Sequence, residues 1–258
     1  MILIKNAKIL TPKGIVEGNL KVEEGKISEI GGKAEKSDVV IDGSGKALIP
    51  GFFNTHTHAA MTLFRSYADD MQLHEWLEKK IWPMEAKLDE KAVYWGTKLA
   101  CVEMLKSGTV FFNDMYFFPE AIARAAEECG IRACVSAAFF DFFNPDLLEE
   151  NLKNAVKTLR EIEKYDVSKR LIAAHSVWLE DAEIEILAKR GVSVAHCPAS
   201  NMKLCVGKAI RYEAMKKAGV NFTLATDGAA SNNNLDMMEE MKFAALLQKF
   251  YYNSPTLL

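Results

Sequence analysis

The period of apolar and polar positions changes once along the chain, near residue 51, and that change divides the sequence. Residues 1–50 hold short apolar runs between glycine turns: "ILIKNAKILT", "GNLKVEEGKISEIG" and "DVVIDGSGKALIPG". Val22 and Ile27 flank the "EEGK" turn, the pattern of a hairpin. A small β module is expected over 1–50, closed by Pro50-Gly51. Beyond it, short apolar runs alternate with helical periodicity. "FFNTHTH" reads as a buried strand and residues 73–107 as largely helical, with Pro83 marking a break. "TVFFNDMYF" is a second strand, "PEAIARAAEECG" a helix with Pro119 near its start and Gly130 at its end, and "IRACVSAAFF" a third strand. A long helix is expected over 146–166. "RLIAAHSVWL", "VSVAHCPAS" and "VNFTLATDG" are three further strands, separated by the helices "DAEIEILAKRG" and "IRYEAMKKAG" and followed by a helix from Leu235 to about Phe250.

Strands that are apolar throughout and alternate with helices imply a parallel sheet covered by helices. Polar residues recur at the C-terminal ends of these strands: His56 and His58, Asn113 and Asp114, His175, His196, Asp227. In a (β/α)8 barrel that rim carries the active site, whereas a doubly wound sheet gathers its ligand at one switch point. The expected fold is α/β, a barrel over 51–258 beside the β module. Only six strands can be read, however, where a barrel needs eight.

The composition of the 258 residues, 49% hydrophobic and 26% charged, is that of a globular protein. A net charge of −3 gives no reason to expect nucleic acid or an anionic membrane as partner. No apolar run has the length of a membrane span, and "MILIKNAKIL" is too short and too lysine-broken for a signal peptide. Five scattered cysteines with no CxxC suggest reduced thiols and a cytoplasmic location.

In a strand, residues i and i+2 share a face, so His56 and His58 can reach one ion while Thr57 turns away. Imidazole suits zinc, iron or nickel. Two histidines on a strand face are often mere polar surface, but at the end of a buried strand they need partners. Asp227, in "TLATDGAASNN", is open to two readings, a turn or helix cap and a metal-binding, proton-accepting carboxylate. His175 alone could be a satisfied core histidine. All three on one rim point to a site.

"PGFFNTHTHAAMTLFR", "KSGTVFFNDMYF", "AAHSVWL", "AHCPASNMKL" and "ATDGAASNNN", in this order, resemble the amidohydrolase superfamily over nearly the whole chain. The branch most similar is the aminohydrolases that deaminate adenine nucleosides (S-adenosylhomocysteine, methylthioadenosine, 5′-deoxyadenosine, adenosine). The resemblance implies a distorted (β/α)8 barrel with a small β-sandwich and Zn2+, or Fe2+, as cofactor. It also implies a small nucleoside substrate and a homo-oligomer. His56, His58 and Asp227 match its metal ligands, and Asp227 also its proton relay. His175 matches the histidine that orients water or substrate, and Ser231 a residue near the purine. In "HEWLEKKIWPMEAKL", Trp76 matches a residue beside the base and Glu85 one that holds the ribose hydroxyls; unaided, the two would read as a core aromatic and a solvated charge. His196 is expected to shape a pocket loop, His74 to be solvated and the cysteines to be structural.

The chain also departs from that family. Two strands are missing between the third strand and "LIAAHSVWL". One of them brings the third metal histidine and a proton-moving glutamate, and all five histidines here are already accounted for. A break is therefore expected near Arg170–Leu171. A related guanine or triazine aminohydrolase or chlorohydrolase, and an inactive metal-binding barrel remnant, are the alternatives.

Overall fold

A computed structural model describes residues 1–33, 36–137 and 171–257. The chain forms two compact units, Met1–Gly51 and Phe52–Leu258.

The first unit is a five-stranded sheet of β1 (Ile2–Thr11), β2 (Gly14–Glu23), β3 (Lys26–Gly32), β4 (Val39–Asp42) and β5 (Ala47–Leu48), in the order β3-β2-β1-β4, with β5 also paired to β1. Val22 pairs with Ile27 across the β2–β3 turn, where Glu24 (φ 49°) and Gly25 (φ 74°) both have positive φ. Positive φ at both central residues matches the right-handed twist of the flanking strands. Ala7, Ile9 and Leu20 form the small core of this sheet.

The second unit contains six described strands, all paired in parallel: β6 (Phe52–Thr57), β7 (Thr109–Tyr116), β8 (Arg132–Ala137), β9 (Ile172–Ala174), β10 (Ser193–His196) and β11 (Asn221–Leu224). They make two three-stranded ladders, β6-β7-β8 and β11-β10-β9. A seam of hydrogen bonds joins the ladders. Thr55 Oγ1 donates to Leu224 O at 2.9 Å, Asn54 and Thr226 exchange two bonds, and Asp227 N donates to His56 O at 3.1 Å. The strands therefore run β8-β7-β6·β11-β10-β9, an incomplete (β/α)8-type barrel. Among the described residues β8 and β9, next to each other in sequence, are not paired. The expected helix over 146–166, the end of the third strand and the Arg170 side of the expected break lie outside the described residues.

Several elements differ from the sequence reading for local reasons. "RLIAAHSVWL" is a strand only over Ile172–Ala174, because His175 and Ser176 take φ of 62° and 53° and end it. The helical stretch from Leu73 continues through Pro83 to Glu85. Pro83 sits in the first turn of Trp82–Glu85, and the preceding turn, Leu77–Ile81, widens to a π-turn, a form that often interrupts helices at functional sites. The real break follows at 86–89, and the Asp89 carboxylate, accepting from Ala92 N at 2.7 Å, caps the next helix, Glu90–Lys106. The helix Pro119–Cys129 is bounded as its sequence suggests, with proline in the first turn and Gly130 at φ 70° just beyond its end. No helix of the described residues is long and apolar enough to cross a membrane.

The main core lies between β7 and the helices Glu90–Lys106 and Pro119–Cys129, with the short 3-10 helix Ala59–Phe64 against it. That 3-10 helix directly follows His58, so its seating fixes where the histidine pair ends. It sits close because residue 96 is glycine: a Cβ there would lie 2.7 Å from Ala60 O, and Thr62 Oγ1 donates to Gly96 O at 2.7 Å. Gly96→Ala should destabilise the protein by about 1–3 kcal/mol, despite alanine's better helix propensity. Denaturant unfolding would show this as a lower midpoint at unchanged slope; a neutral or stabilising effect would mean that the two helices can separate freely.

Candidate metal centre

β6 ends in His56 and Thr57, with His58 the next residue, and the alternation of the strand turns Thr57 aside so that its hydroxyl donates to Asp227 O at 2.8 Å. Past the end of β11, Asp227 adopts φ 61°, a left-handed conformation uncommon for a residue with a side chain. Such backbone costs about 1–3 kcal/mol and persists only where its surroundings enforce it. Here Thr57, Thr226 and the amide bond to His56 O do so. The kink brings the carboxylate between the histidines. Asp227 Oδ1 is 3.4 Å from His56 Nε2 and 3.3 Å from His58 Nε2. Gly228 permits this approach, since a Cβ on it would lie 2.5 Å from Met61 Sδ and 3.4 Å from His58 Cβ.

The ligand atoms of His56, His58 and Asp227 all lie within 4.8 Å of one another. Ligands about 2.1 Å from a tetrahedral ion are about 3.4 Å apart, close to the two carboxylate–imidazole separations. The tautomer also fits. His58 Nδ1 lies 2.8 Å from Met115 O, and a carbonyl can only accept, so Nδ1 carries the proton and Nε2 is the atom offered to a ligand. Two imidazole nitrogens and one carboxylate oxygen, from two buried residues and the half-buried His58, are a donor set for a divalent transition metal with room for water.

The other Asp227 oxygen has its own partners. Ser200 Oγ and Ser231 Oγ each donate to Oδ2 at 2.7 Å. His175 Nε2 is 3.9 Å from the same oxygen, and its Nδ1 is 2.8 Å from Asn201 Oδ1, which leaves Nε2 directed at the site. His175 stands at a strand end like the pair, with its ring 5.7 Å from that of His56. Asp114 is buried on β7, accepting Ala59 N at 2.8 Å. Burial raises its pKa to about 6, against the opposing pull of His58 and the Ala59 amide.

Charge is shared unevenly over the cluster. Burial works to raise the pKa of Asp227, yet the hydrogen bonds from His56 and His58 outweigh it and hold the carboxyl well below its usual range. Burial also opposes a charge on His58, but Asp227, helped by Asp114, pushes it up to about 9; His56, where burial prevails, is pushed down.

A cavity of about 780 Å³ opens beside the cluster, lined among others by His58, Trp76, Glu85, His175, Asp227 and Ser231. Trp76 is buried, and its indole Nε1 has no partner among the described residues. Glu85 is held by Tyr116 Oη, which donates to Oε1 at 2.8 Å; burial nevertheless keeps the Glu85 pKa above its usual value. Each residue expected at the site thus faces the cluster or its cavity, but Ser231 spends its hydroxyl on Asp227. His74 is exposed at the cavity wall. His196 is wholly buried with its ring 5.7 Å from Phe222, and burial pushes its pKa down to about 3. Ser200, Asn201 and Tyr116 were not anticipated. The "SN" pair two residues after a strand-end histidine-cysteine-proline, and the polar Asp114/Tyr116 alternation on β7, are the signals that carry them.

Because a metal requires neutral imidazole, ion binding below about pH 9 must expel the His58 proton. In the metal-free protein the His58–Asp227 pair is fully stabilising below the ordinary histidine pKa of about 6.5 and is lost as pH rises through the folded value. Zinc affinity should therefore rise about tenfold per pH unit between about pH 6 and 8, with about one proton released. Calorimetry in buffers of different ionisation heat measures this, and a flat profile would remove His58 from the ligand set.

The amidohydrolase family model matches residues 47–170 and 165–257. The 5-methylthioadenosine/S-adenosylhomocysteine deaminase 1 of Archaeoglobus fulgidus is 75% identical over 321 aligned residues, covering 100% of this chain and 76% of that protein. The 5′-deoxyadenosine deaminase of Methanospirillum hungatei is 42% identical over 86% of this chain and 64% of its own length, so the chain spans less than two thirds of that relative. Among solved structures, an adenosine deaminase from Xanthomonas campestris with bound zinc superposes with a TM-score of 0.82 at 30% identity, over 100% of this chain and 76% of that one. For the Archaeoglobus protein, 321 aligned positions less the 258 residues here leave 63 without a counterpart. The two-part family match puts an interruption around 165–170, the stretch that leads from β8 to β9.

Proposed function

The chain belongs to the amidohydrolase family, and from that premise we propose that its site performs metal-dependent hydrolytic deamination of an adenine nucleoside. The substrate class comprises methylthioadenosine, S-adenosylhomocysteine, 5′-deoxyadenosine and adenosine, and the products are the inosine counterpart and ammonia. The observation that carries the reading is the convergence of His56, His58 and Asp227 on one point beside a cavity that also holds Glu85. The names of the relatives and the zinc in the Xanthomonas structure support it.

Zinc, or iron(II), bound there by His56 Nε2, His58 Nε2 and Asp227 Oδ1 would supply Lewis acidity and lower the pKa of a water molecule. The residues of the chain orient the rest. His175, fixed through Nδ1 by Asn201, points Nε2 towards Asp227 and steers the water or the purine. Water adds to C6 of the adenine and opens its double bond to N1; one water proton passes by way of Asp227 and ends on N1, and the other passes from the new hydroxyl to the C6 amine, which leaves as ammonia as the carbonyl forms. Trp76 walls the base and offers an unpaired indole N–H. Glu85, braced by Tyr116, accepts from the ribose hydroxyls, a contact that a flat free base such as guanine or a triazine cannot use. A cytoplasmic homo-oligomer with neither nucleic acid nor membrane as partner completes the proposal. Its support is the net charge of −3, the free cysteines and the family resemblance.

A second reading is favoured by the 63 positions of the Archaeoglobus relative that have no counterpart here. The family resemblance places a third metal histidine and a proton-moving glutamate in such a stretch, and their loss leaves a protein that binds metal and nucleoside with little turnover. One experiment separates the two. Zinc-loaded protein is mixed with each nucleoside, with guanine and with a triazine, and ammonia release and heat of binding are both recorded. Ammonia from nucleosides supports the first reading; binding heat without ammonia supports the second; turnover of guanine or triazine alone contradicts both.

Glu85→Gln should raise KM for nucleosides by about 10–100-fold, the cost of weakening a charge-assisted bond of about 1.5–3 kcal/mol, and leave that for free adenine nearly unchanged. Equal effects on both would remove Glu85 from the ribose site.

A further inference from the structure

Glu240 is a fully buried carboxylate on the helix Met237–Tyr251, remote in sequence from the histidine pair and absent from the cavity wall just described. Its two oxygens accept from two different short helices, Pro198–Lys203 and Ala229–Asn232. Oε2 takes the Ala199 amide at 3.2 Å, and Oε1 takes Asn232 Nδ2 at 2.7 Å. Ala199 immediately precedes Ser200, and Asn232 immediately follows Ser231, the two residues whose hydroxyls donate to Asp227 Oδ2. Asn232 Nδ2 also donates to Thr226 O at 2.7 Å, on the residue before Asp227. The bonds close into a ring: Glu240 to Ala199 and Ser200, on to Asp227, and back through Ser231 and Asn232.

From this ring we infer that Glu240 is a positioning residue for Asp227: it locks the two serines that engage Oδ2, so that Oδ1 is the oxygen left facing His56 and His58. The inference rests on the reading of Asp227 as a metal ligand. The chemistry explains why a carboxylate is needed. Two N–H donors from separate chain segments converge on one buried side chain, and only a carboxylate presents two acceptor oxygens in a fork. Glutamine keeps the shape but offers one acceptor, and turns an amide donor against whichever N–H remains. A partner outside the ligand shell that orients a ligand is commonly worth about 10–100-fold in metal affinity.

The test measures zinc affinity by competition with a chromophoric chelator, so it does not depend on turnover. Glu240→Gln should bind zinc about 10–100-fold more weakly than the wild type. Ser200→Ala/Ser231→Ala should show a loss of similar size, and adding Glu240→Gln to that double variant should cost little more, because the positioning acts through the serines. Fold-losses that multiply across the two changes, or a Glu240→Gln protein with wild-type affinity, would overturn the inference. Should Glu240→Gln fail to fold, as judged by circular dichroism, Asn232→Ala removes the Ser231 arm together with the bond to Thr226 O and spares the Ser200 arm. Its loss should be absorbed by Ser231→Ala but should multiply with Ser200→Ala; equal coupling to both serines would overturn the two-armed ring. Failure of the wild-type chain to take up zinc would contradict the metal-centre reading itself.

Discussion

Asp227 is a carboxylate taken almost wholly out of water, and the rest of the site follows from how its charge is matched. One oxygen faces two imidazoles and the other two hydroxyls. An unpaired buried carboxylate would cost several kcal/mol, so the two faces are not interchangeable decoration. The serine side holds the group in place by neutral hydrogen bonds and leaves the histidine side with a net tendency to bind cations. Without an ion, that tendency falls on the His58 proton, which is why His58 and Asp227 move in opposite directions from their ordinary pKa values.

The location of this cluster explains why it survives in an incomplete barrel. His56, His58 and Asp227 stand over the seam where β6 meets β11, the junction fastened by Asn54, Thr55 and Thr226. Among the described residues the outer strands of the two ladders are β8 and β9, two strands away on either side. The three side chains carried by the ends of β6 and β11 can therefore converge whatever fills the space between β8 and β9.

Much of this could be read from the residue pattern, and the rest could not, for identifiable reasons. The i, i+2 spacing of His56 and His58 is local, and strand geometry alone puts both on one face. The strand-end positions of Asp114, His175 and Asp227 follow from apolar runs that stop at a polar residue. Proline and glycine bound the helix Pro119–Cys129 by backbone chemistry that needs no tertiary context. In contrast, Ser200 and Ser231 lie in helices too short to show a period, Pro198–Lys203 and Ala229–Asn232, and their common acceptor is set by the packing of two segments 31 residues apart. Glu240 reads as one of several acidic residues in the first turn of a helix, and nothing local marks it as the buried one. The early end of β9 depends on positive φ at His175 and Ser176, a conformation that neither residue type announces.

The central claim is that His56, His58 and Asp227 hold one metal ion, and anomalous diffraction from zinc-soaked crystals, recorded on both sides of the zinc edge, tests it most directly. The expected result is a single strong peak about 2.0–2.2 Å from His56 Nε2, His58 Nε2 and an Asp227 oxygen, with His175 across the cavity from it. A peak at surface carboxylates or cysteines with none between the two histidines, at zinc concentrations that saturate binding in solution, would contradict it.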